Sequence, residues 1–567
     1  SEVPLMRMCF LAFTVFVFLA VISAVLFLDN GFGSIDVETV KIPDIGFEIC
    51  GLLYRPCEAS SNNPLPAVVL VHGISSSKES MSSIALELAR NGFVALTIDA
   101  IGHGDSGGRL WATSDPSLGA LAALRFLESQ PYVDASSLGV VGHSLGAGAA
   151  RATANAHRRV EATVLIGGGL GGVASDSAYG VLNSTFPKNL MVAIGRQDVL
   201  FDISKVTKGE LPQVFGVSQE VVPSVLYGDF SSGNARMLIT PATTHLIEPL
   251  DPLIVSETVR WMINALKQDK AETEYINLVY PYREALMLVS VIFFVSLTFP
   301  ISLLAFQRDL KKREEHGFLD SWKIALIWGV LSLVLLAPLF PLGFVLNFPP
   351  VLFGSAIAWW LLTVGVAGLL LIMLVLPKFS VKLSMRNVVK ESFTLRGVLI
   401  ALGMFLLLYF TAWLMGLLGI RFWVFVSIFK TLSVSRIALL PMFIPFFLVF
   451  FYVEGIFLHI LRKQGGRKRL LSELLDMCKT IMIKIAPYVM IMVIQYAPMF
   501  LLDFKPLSSI AGFMVEFLPL LTFQFIMSTA CSWWLHRVSS SIGVGAVFNA
   551  LMFAWISAGV FPFGVFR

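Results

Sequence analysis

The chain has 567 residues, of which 56% are hydrophobic and 14% charged, with a formal net charge of +4. A soluble globular chain runs nearer half apolar and a quarter charged, so the apolar excess needs burial beyond one protein core, and lipid is the simplest medium. The small net charge argues against nucleic acid as a partner. The excess is unevenly placed, which predicts an N-terminal transmembrane anchor over 1–29, a soluble domain over 30–280 and a multi-pass membrane domain over 281–567.

Met8 to Leu28 carries no charge and is long enough to cross a hydrocarbon core of about 30 Å. Its apolar run exceeds the roughly 7–15 residues of a signal peptide, and no A-x-A site follows, so a retained anchor is expected. Cys50 and Cys57 flank a strand-like segment, GLLYRP. Seven extended residues span roughly 23 Å and a disulfide needs Cα atoms within about 7 Å, so pairing would require a turn there.

Five short apolar runs then read as buried strands: Ala67–Val71, Val94–Ile98, Leu138–Val141, Ala162–Ile166 and Leu190–Ile194. Helix-like stretches, among them Met81–Asn91 and Ser117–Gln130, lie between them. Such alternation predicts a parallel sheet with helices on both faces. The third strand runs into Gly142-His143-Ser144-Leu145-Gly146, a G-x-S-x-G string. Its glycines permit a tight strand-to-helix turn that holds a serine Oγ above a sheet. His72-Gly73-Ile74 ends the first strand, and Asp99 to Ser106 reads D-x-x-G-x-G-x-S after the second. Gly195-Arg196-Gln197-Asp198 and then Thr244-His245 follow the serine.

Over roughly residues 38–267 these motifs resemble the α/β-hydrolase superfamily. The resemblance implies an α/β fold with a doubly wound, mostly parallel sheet, and a serine hydrolase whose triad comes in the order Ser, Asp, His. Ser144 is then the nucleophile, His245 its base, and Asp198 the acid that fixes the imidazole tautomer. Backbone N–H groups of Ile74 and Leu145 would form the oxyanion hole. Asp202 and Asp229 are rivals for the acid. Of the other soluble-domain histidines, His72, His103 and His143 belong to motif loops before or at the serine, and His157 sits beside Arg158 and Arg159. No phosphate-binding loop or metal-ligand cluster is present, so neither cofactor nor metal is expected. Residues 201–222 are expected to form a helical insert near the mouth of the site, with 175–188 a second candidate cap. Asn183-Ser184-Thr185 is a glycosylation sequon.

Eight further apolar runs start near Ala285, Ile324, Val351, Gly397, Ile437, Ile481, Ile510 and Ser541. Lys and Arg gather on the cytoplasmic side of membrane proteins. With nine spans, Arg7, Arg308 to Arg313, Lys378 to Arg396, Arg462 to Arg469 and Arg537 all share the side of the N-terminus. That arrangement puts the soluble domain on the extracytoplasmic side of a cell membrane. Lys430 and Arg436 break the pattern and, with Phe422-Trp423, are expected on a helix lying in the outer interface. Glu454, His459 and Glu516 are ionisable residues within spans, costly there and usually paired or functional.

The expectation is a membrane-anchored serine hydrolase that cleaves a carboxylic ester of a lipid or membrane-associated molecule through an acyl-enzyme on Ser144. The lipid bilayer is its partner, and no protein partner is indicated. The same triad would also serve an acyltransferase, a thioesterase or a serine peptidase. A transporter or receptor with a ligand-binding hydrolase-like domain is the alternative from another class, since fold alone does not choose a function.

Overall fold

The computed structural model of the chain describes residues 2–171, 178–267, 276–306, 319–336, 345–375, 385–424, 426–461 and 470–564. An N-terminal helix, α1 (Glu2–Asp29), leads into β1 (Ile35–Asp44), β2 (Phe47–Pro56), β3 (Leu65–Val71) and β4 (Val94–Ile98). β5 (Val133–His143), β6 (Val160–Ile166), β7 (Leu190–Ala193) and β8 (Arg236–Ile239) complete one sheet in the order β1-β2-β4-β3-β5-β6-β7-β8. β1 and β2 form an antiparallel hairpin joined antiparallel to β4, and every pairing from β4 to β8 is parallel.

The pleat explains the continuous apolar runs. In β3, Ala67, Val69 and Val71 enter one core while Val68 and Leu70 enter the other, so a strand covered on both faces needs apolar residues throughout. α2 (Ser82–Arg90) and α5 (Pro252–Leu266) cover one face, and α3 (Ala120–Glu128) and α4 (Leu145–Ala156) the other. Pro252 opens α5, and Asp251 caps it by accepting N–H bonds from Leu253 and Ile254 at 2.9 and 3.1 Å. β1 and β8 are not continuous apolar runs: β1 is an edge strand exposing Asp36, Glu38 and Lys41, and β8 has four residues. Cys50 lies within β2 and Cys57 just past it, both free thiols. Residues 203–215 form short helical turns, as expected of an insert. Of the second candidate cap, 178–188 holds no helix or strand and 175–177 lies outside the described residues.

The longer of the remaining helices are α6 (Tyr280–Phe306), α7 (Trp322–Val334), α8 (Gly354–Leu374), α9 (Leu395–Leu417), α10 (Val434–Leu461), α11 (Leu471–Leu502), α12 (Ser509–Ser539) and α13 (Ile542–Val560). Among the described residues, eight helices, α1 included and α7 excepted, are long and apolar enough to cross a membrane by length and composition. α13 is the centre of the bundle, with 94% of its apolar window buried against 22% for α1. The basic residues at 308–313, 378–382 and 462–469 lie outside the described residues.

Among the described residues between Arg421 and Arg436, no helix precedes Val434. β9 (Trp423–Val424) and β10 (Val426–Ser427) pair there instead, and the chain continues into α10. Phe422, Trp423, Lys430 and Arg436 are buried because this segment is clasped between bundle and sheet domain rather than lying on lipid. The Arg436 guanidinium donates to the carbonyls of Gly102 and Gly104 on one side and of Ala558 and Phe561 on the other. Lys430 Nζ lies 3.0 Å from Asp105, whose carboxylate also meets Lys78 at 2.7 Å. Burial opposes the Lys78 charge, yet Asp105, Asp99 and Glu79 hold it well above the ordinary lysine value. Burial likewise opposes the charges of Glu79 and Asp105, yet Lys430 and Lys78 hold both well below the usual carboxylate range.

Candidate active site

β5 ends at His143 and α4 begins at Leu145, so the whole reversal falls on Ser144, whose φ of 54° and ψ of −114° lie outside the usual regions. Such a conformation costs about 1–3 kcal/mol and persists only where its surroundings enforce it. Ser144 N donates to Ile166 O at 2.8 Å. A Cβ on Gly142 would stand 1.9 Å from Gly146 O, and one on Gly146 would stand 2.2 Å from Val71 O. Only glycine at both positions lets strand, turn and helix approach this closely.

His245 Nε2 lies 2.9 Å from Ser144 Oγ, and His245 Nδ1 lies 2.7 Å from Asp198 Oδ2. The other Asp198 oxygen accepts the Leu200 N–H at 2.7 Å, which fixes the carboxylate plane. The three residues stand beyond the C-terminal ends of β5, β7 and β8, and Asp198 and His245 are buried. Ile74 lines the cavity that holds Ser144, and Leu145 opens α4 directly after the serine. The rivals for the acid are spent on local turns: Asp202 accepts N–H bonds from Ser204 and Lys205, and Asp229 from Ser231 and Ser232. His72 accepts the Ala100 N–H, His103 accepts that of Ser75, and His157 pairs with Glu128.

Residues 62–208 match the family model described as serine aminopeptidase, S33. The sheet domain has the α/β-hydrolase fold. Solved structures similar to it include an esterase of Pyrococcus furiosus, at 19% identity over 42% of this chain and 96% of that one, with a TM-score of 0.31. A dienelactone hydrolase of Anabaena variabilis is similar at 18% identity over 41% of this chain and 100% of that one, with a TM-score of 0.30. No curated protein matches the chain.

The α/β-hydrolase site contains a second carboxyl that the sequence motifs do not mark. Glu248 is fully buried; its Oε1 accepts the Gly195 N–H at 2.7 Å, and its Oε2 lies 3.4 Å from His143 Nε2 and 3.8 Å from His245 Nδ1. Burial, and then the Asp198 charge, push this carboxyl well above its ordinary value. Burial, and then the neighbouring His245, hold His143 well below the ordinary imidazole value, and its Nε2 donates to His245 O at 2.9 Å. Atoms of His143, His245 and Glu248 lie within 4.8 Å of one another, a spacing that a metal ion could bridge. The two ring nitrogens nearest Glu248 are already engaged, His143 Nε2 by His245 O and His245 Nδ1 by Asp198, so neither is free to hold an ion. The trio's only trace in the sequence is an acidic residue one helical turn after His245.

The other half of the site comes from the bundle. A cavity of about 380 Å³ has Ser144 and His245 on its floor, while Tyr496, Phe500, Phe513 and Phe517 of α11 and α12 form its far wall. Glu516 accepts the Leu246 N–H at 2.9 Å, and the Phe513 ring stands edge-on to the His245 ring at 5.5 Å. Lys505, in the loop between α11 and α12, donates to Asp198 O and to Phe201 O. Glu516 was legible as an ionisable residue within an apolar run, but its partner lies 270 residues away.

Proposed function

We propose that the chain is a membrane-anchored serine hydrolase that cleaves a carboxylic ester of a lipid-like molecule through an acyl-enzyme on Ser144. The supporting observation is the line Ser144 Oγ, His245, Asp198 at the floor of a cavity whose far wall is apolar membrane helix. Ser144 Oγ attacks the ester carbonyl while His245 Nε2 takes its proton, and Asp198 stabilises the imidazolium that forms. The N–H groups of Ile74 and Leu145 receive the developing oxyanion, each worth roughly 3–4 kcal/mol. His245 then protonates the departing alcohol, and water repeats the sequence to release the acid.

The apolar wall supports an acyl chain as the recognised group. Phe500 lines the cavity and is itself exposed, and exposed Leu501, Leu502 and Phe504 follow it. A chain threaded past them gains about 0.8 kcal/mol per buried methylene, and that remote binding energy orients the ester at Ser144. An amide substrate is the second reading, favoured by the family model that the domain matches. The α/β-hydrolase domain is assigned to the extracytoplasmic side on the positions of the basic residues.

The test is labelling of the full chain by a fluorophosphonate, followed by turnover of acyl esters of graded length alongside peptides. Ser144→Ala should abolish labelling and ester hydrolysis together, and labelling that survives in this variant overturns the reading. A preference for peptides over every ester would select the amide. For orientation, exposed Cys57 should react with an impermeant thiol reagent on intact cells. Lys311→Cys in a Cys57→Ser background should not react until the membrane is opened, and the reverse pattern removes the extracytoplasmic assignment.

A further inference from the structure

We infer that the hairpin joining α11 and α12 is a positioning clamp, with Lys505 and Glu516 of the membrane bundle holding Asp198 and His245 in line with Ser144. The inference rests on the reading of these three residues as a catalytic triad. Its basis is where the clamp grips. Glu516 takes the N–H of the peptide that follows His245, and Lys505 takes the carbonyl of the peptide that follows Asp198. Each bond fixes the main chain on the far side of a triad residue's Cα, which sets the origin from which the side chain reaches.

Other contacts converge on the same two turns. Ser509 N donates to Val199 O at 2.7 Å, Gln197 Nε2 to Met499 O at 3.3 Å, and Val199, Met499 and Phe513 form one small core. Ile74, the proposed oxyanion donor, packs against that core. The first N–H groups of a helical turn have no partner within it, so the turn opening at His245 needs an acceptor from elsewhere, and a carboxylate makes the stronger bond. The α/β-hydrolase domain supplies the triad, and the bundle supplies its alignment. Misplacement by about 1 Å costs roughly 100-fold in rate, so a shift of this hairpin is read directly at Ser144.

The experiment uses the full chain in detergent, with active serines counted by fluorophosphonate titration and turnover measured on p-nitrophenyl acetate. Counting separates alignment from folding, because a variant that merely unfolds loses titratable serines and keeps its kcat per remaining serine. Glu516→Ala should lower kcat per titrated serine about tenfold or more, with KM within about threefold. Glu516→Gln should recover most of that loss, since its amide oxygen still accepts the Leu246 N–H. Lys505→Met should behave like Glu516→Ala, and Lys505→Arg should rescue it. The clamp is overturned if kcat per serine stays within about twofold of the parent in both Glu516→Ala and Lys505→Met, or if Gln is as slow as Ala. Should Glu516→Ala leave no titratable serine, the Lys505 pair decides by the same criterion. Undiminished turnover by Ser144→Ala would instead remove the triad reading itself, a separate result.

Discussion

The two regions of the molecule bury polar groups in opposite ways. In the α/β-hydrolase domain the backbone does the positioning: the proposed triad residues follow three parallel strands, and the close contacts at Gly142 and Gly146 are main chain on main chain. In the bundle the helices satisfy most of their own backbone groups, so polar contacts between helices start from side chains. Glu454 pairs with Lys484 and accepts the Trp328 indole N–H at 2.9 Å, and Lys484 also donates to Thr529 at 2.7 Å. His459 stacks on His536 at 4.2 Å, and Asn549 donates to Ser528 O at 2.9 Å. These groups are spent on one another. Lys430, Arg436, Lys505 and Glu516 differ, because each has a partner in the other region. A bundle residue that bonds across the boundary is therefore the one to test for an effect on chemistry.

The largest expected effect lies in the first region. His245→Ala should lower kcat by about 10⁴-fold or more, and Asp198→Asn somewhat less, because the triad acts as a unit. Thermal stability should change little beside that loss. A nearly silent Asp198→Asn together with an inactive Asp202→Asn would move the acid, and with it the claim that strand ends place the chemistry.

That claim also governs what could be read from the sequence. β3 to β7 were legible because both sheet faces are covered, which demands unbroken apolar runs. β1 escaped because edge strands alternate, and β8 because four residues led by Arg236 leave too little pattern. The elbow was legible because it is a local backbone constraint written in glycines. Glu248 was not, since its partners Gly195 and His143 lie 53 and 105 residues upstream of it and meet it only in the folded chain. Lys430 and Arg436 did leave a signal, as the exception in the charge count. Two basic residues that broke the expected charge pattern mark where the bundle meets the α/β-hydrolase domain, although they had suggested a helix on lipid.

The next effect separates stability from chemistry. Lys484→Met leaves Glu454 buried without its counter-charge, which typically costs about 3–5 kcal/mol. The expected result is a large drop in melting temperature with kcat per titrated serine unchanged. Adding Glu454→Gln should return most of the stability, since the amide still accepts the Trp328 N–H and no charge remains unpaired. A change in kcat per serine from Lys484→Met would join the bundle interior to the catalytic site and erase the distinction.

At the boundary a smaller effect is expected. Asp105→Asn removes a carboxylate shared by Lys78 and Lys430, and should cost about 1–3 kcal/mol near neutral pH. Glu79 and Asp105 are both held below their ordinary values. Their stabilisation is therefore complete above the unfolded carboxylate value of about 4 and is lost as pH falls through the folded values. The melting temperatures of parent and variant should accordingly converge as pH drops below about 4. A gap that stays constant would show that packing, not the ion pairs, joins the two regions.

The smallest effect concerns Glu248, where the α/β-hydrolase domain could spend a second buried carboxylate on a neighbouring cation, as Asp99 and Asp105 already do on Lys78. Its carboxyl is raised by burial and by Asp198, while His143 beside it is held neutral. A raised carboxyl keeps its proton when folded after the unfolded chain has lost it, so its contribution is complete below about pH 4 and disappears as pH rises through the folded value. Glu248→Gln carries no proton to lose and still offers an oxygen to the Gly195 N–H. The variant should therefore match the parent near pH 5 and become progressively more stable than it towards pH 8, with kcat within a few-fold throughout. Melting curves of both proteins across that range decide the matter. A variant that is less stable at every pH would mean that Glu248 is ionised and paired with His143, so that side-chain pairing, as between Glu454 and Lys484, would operate beneath His245 as well.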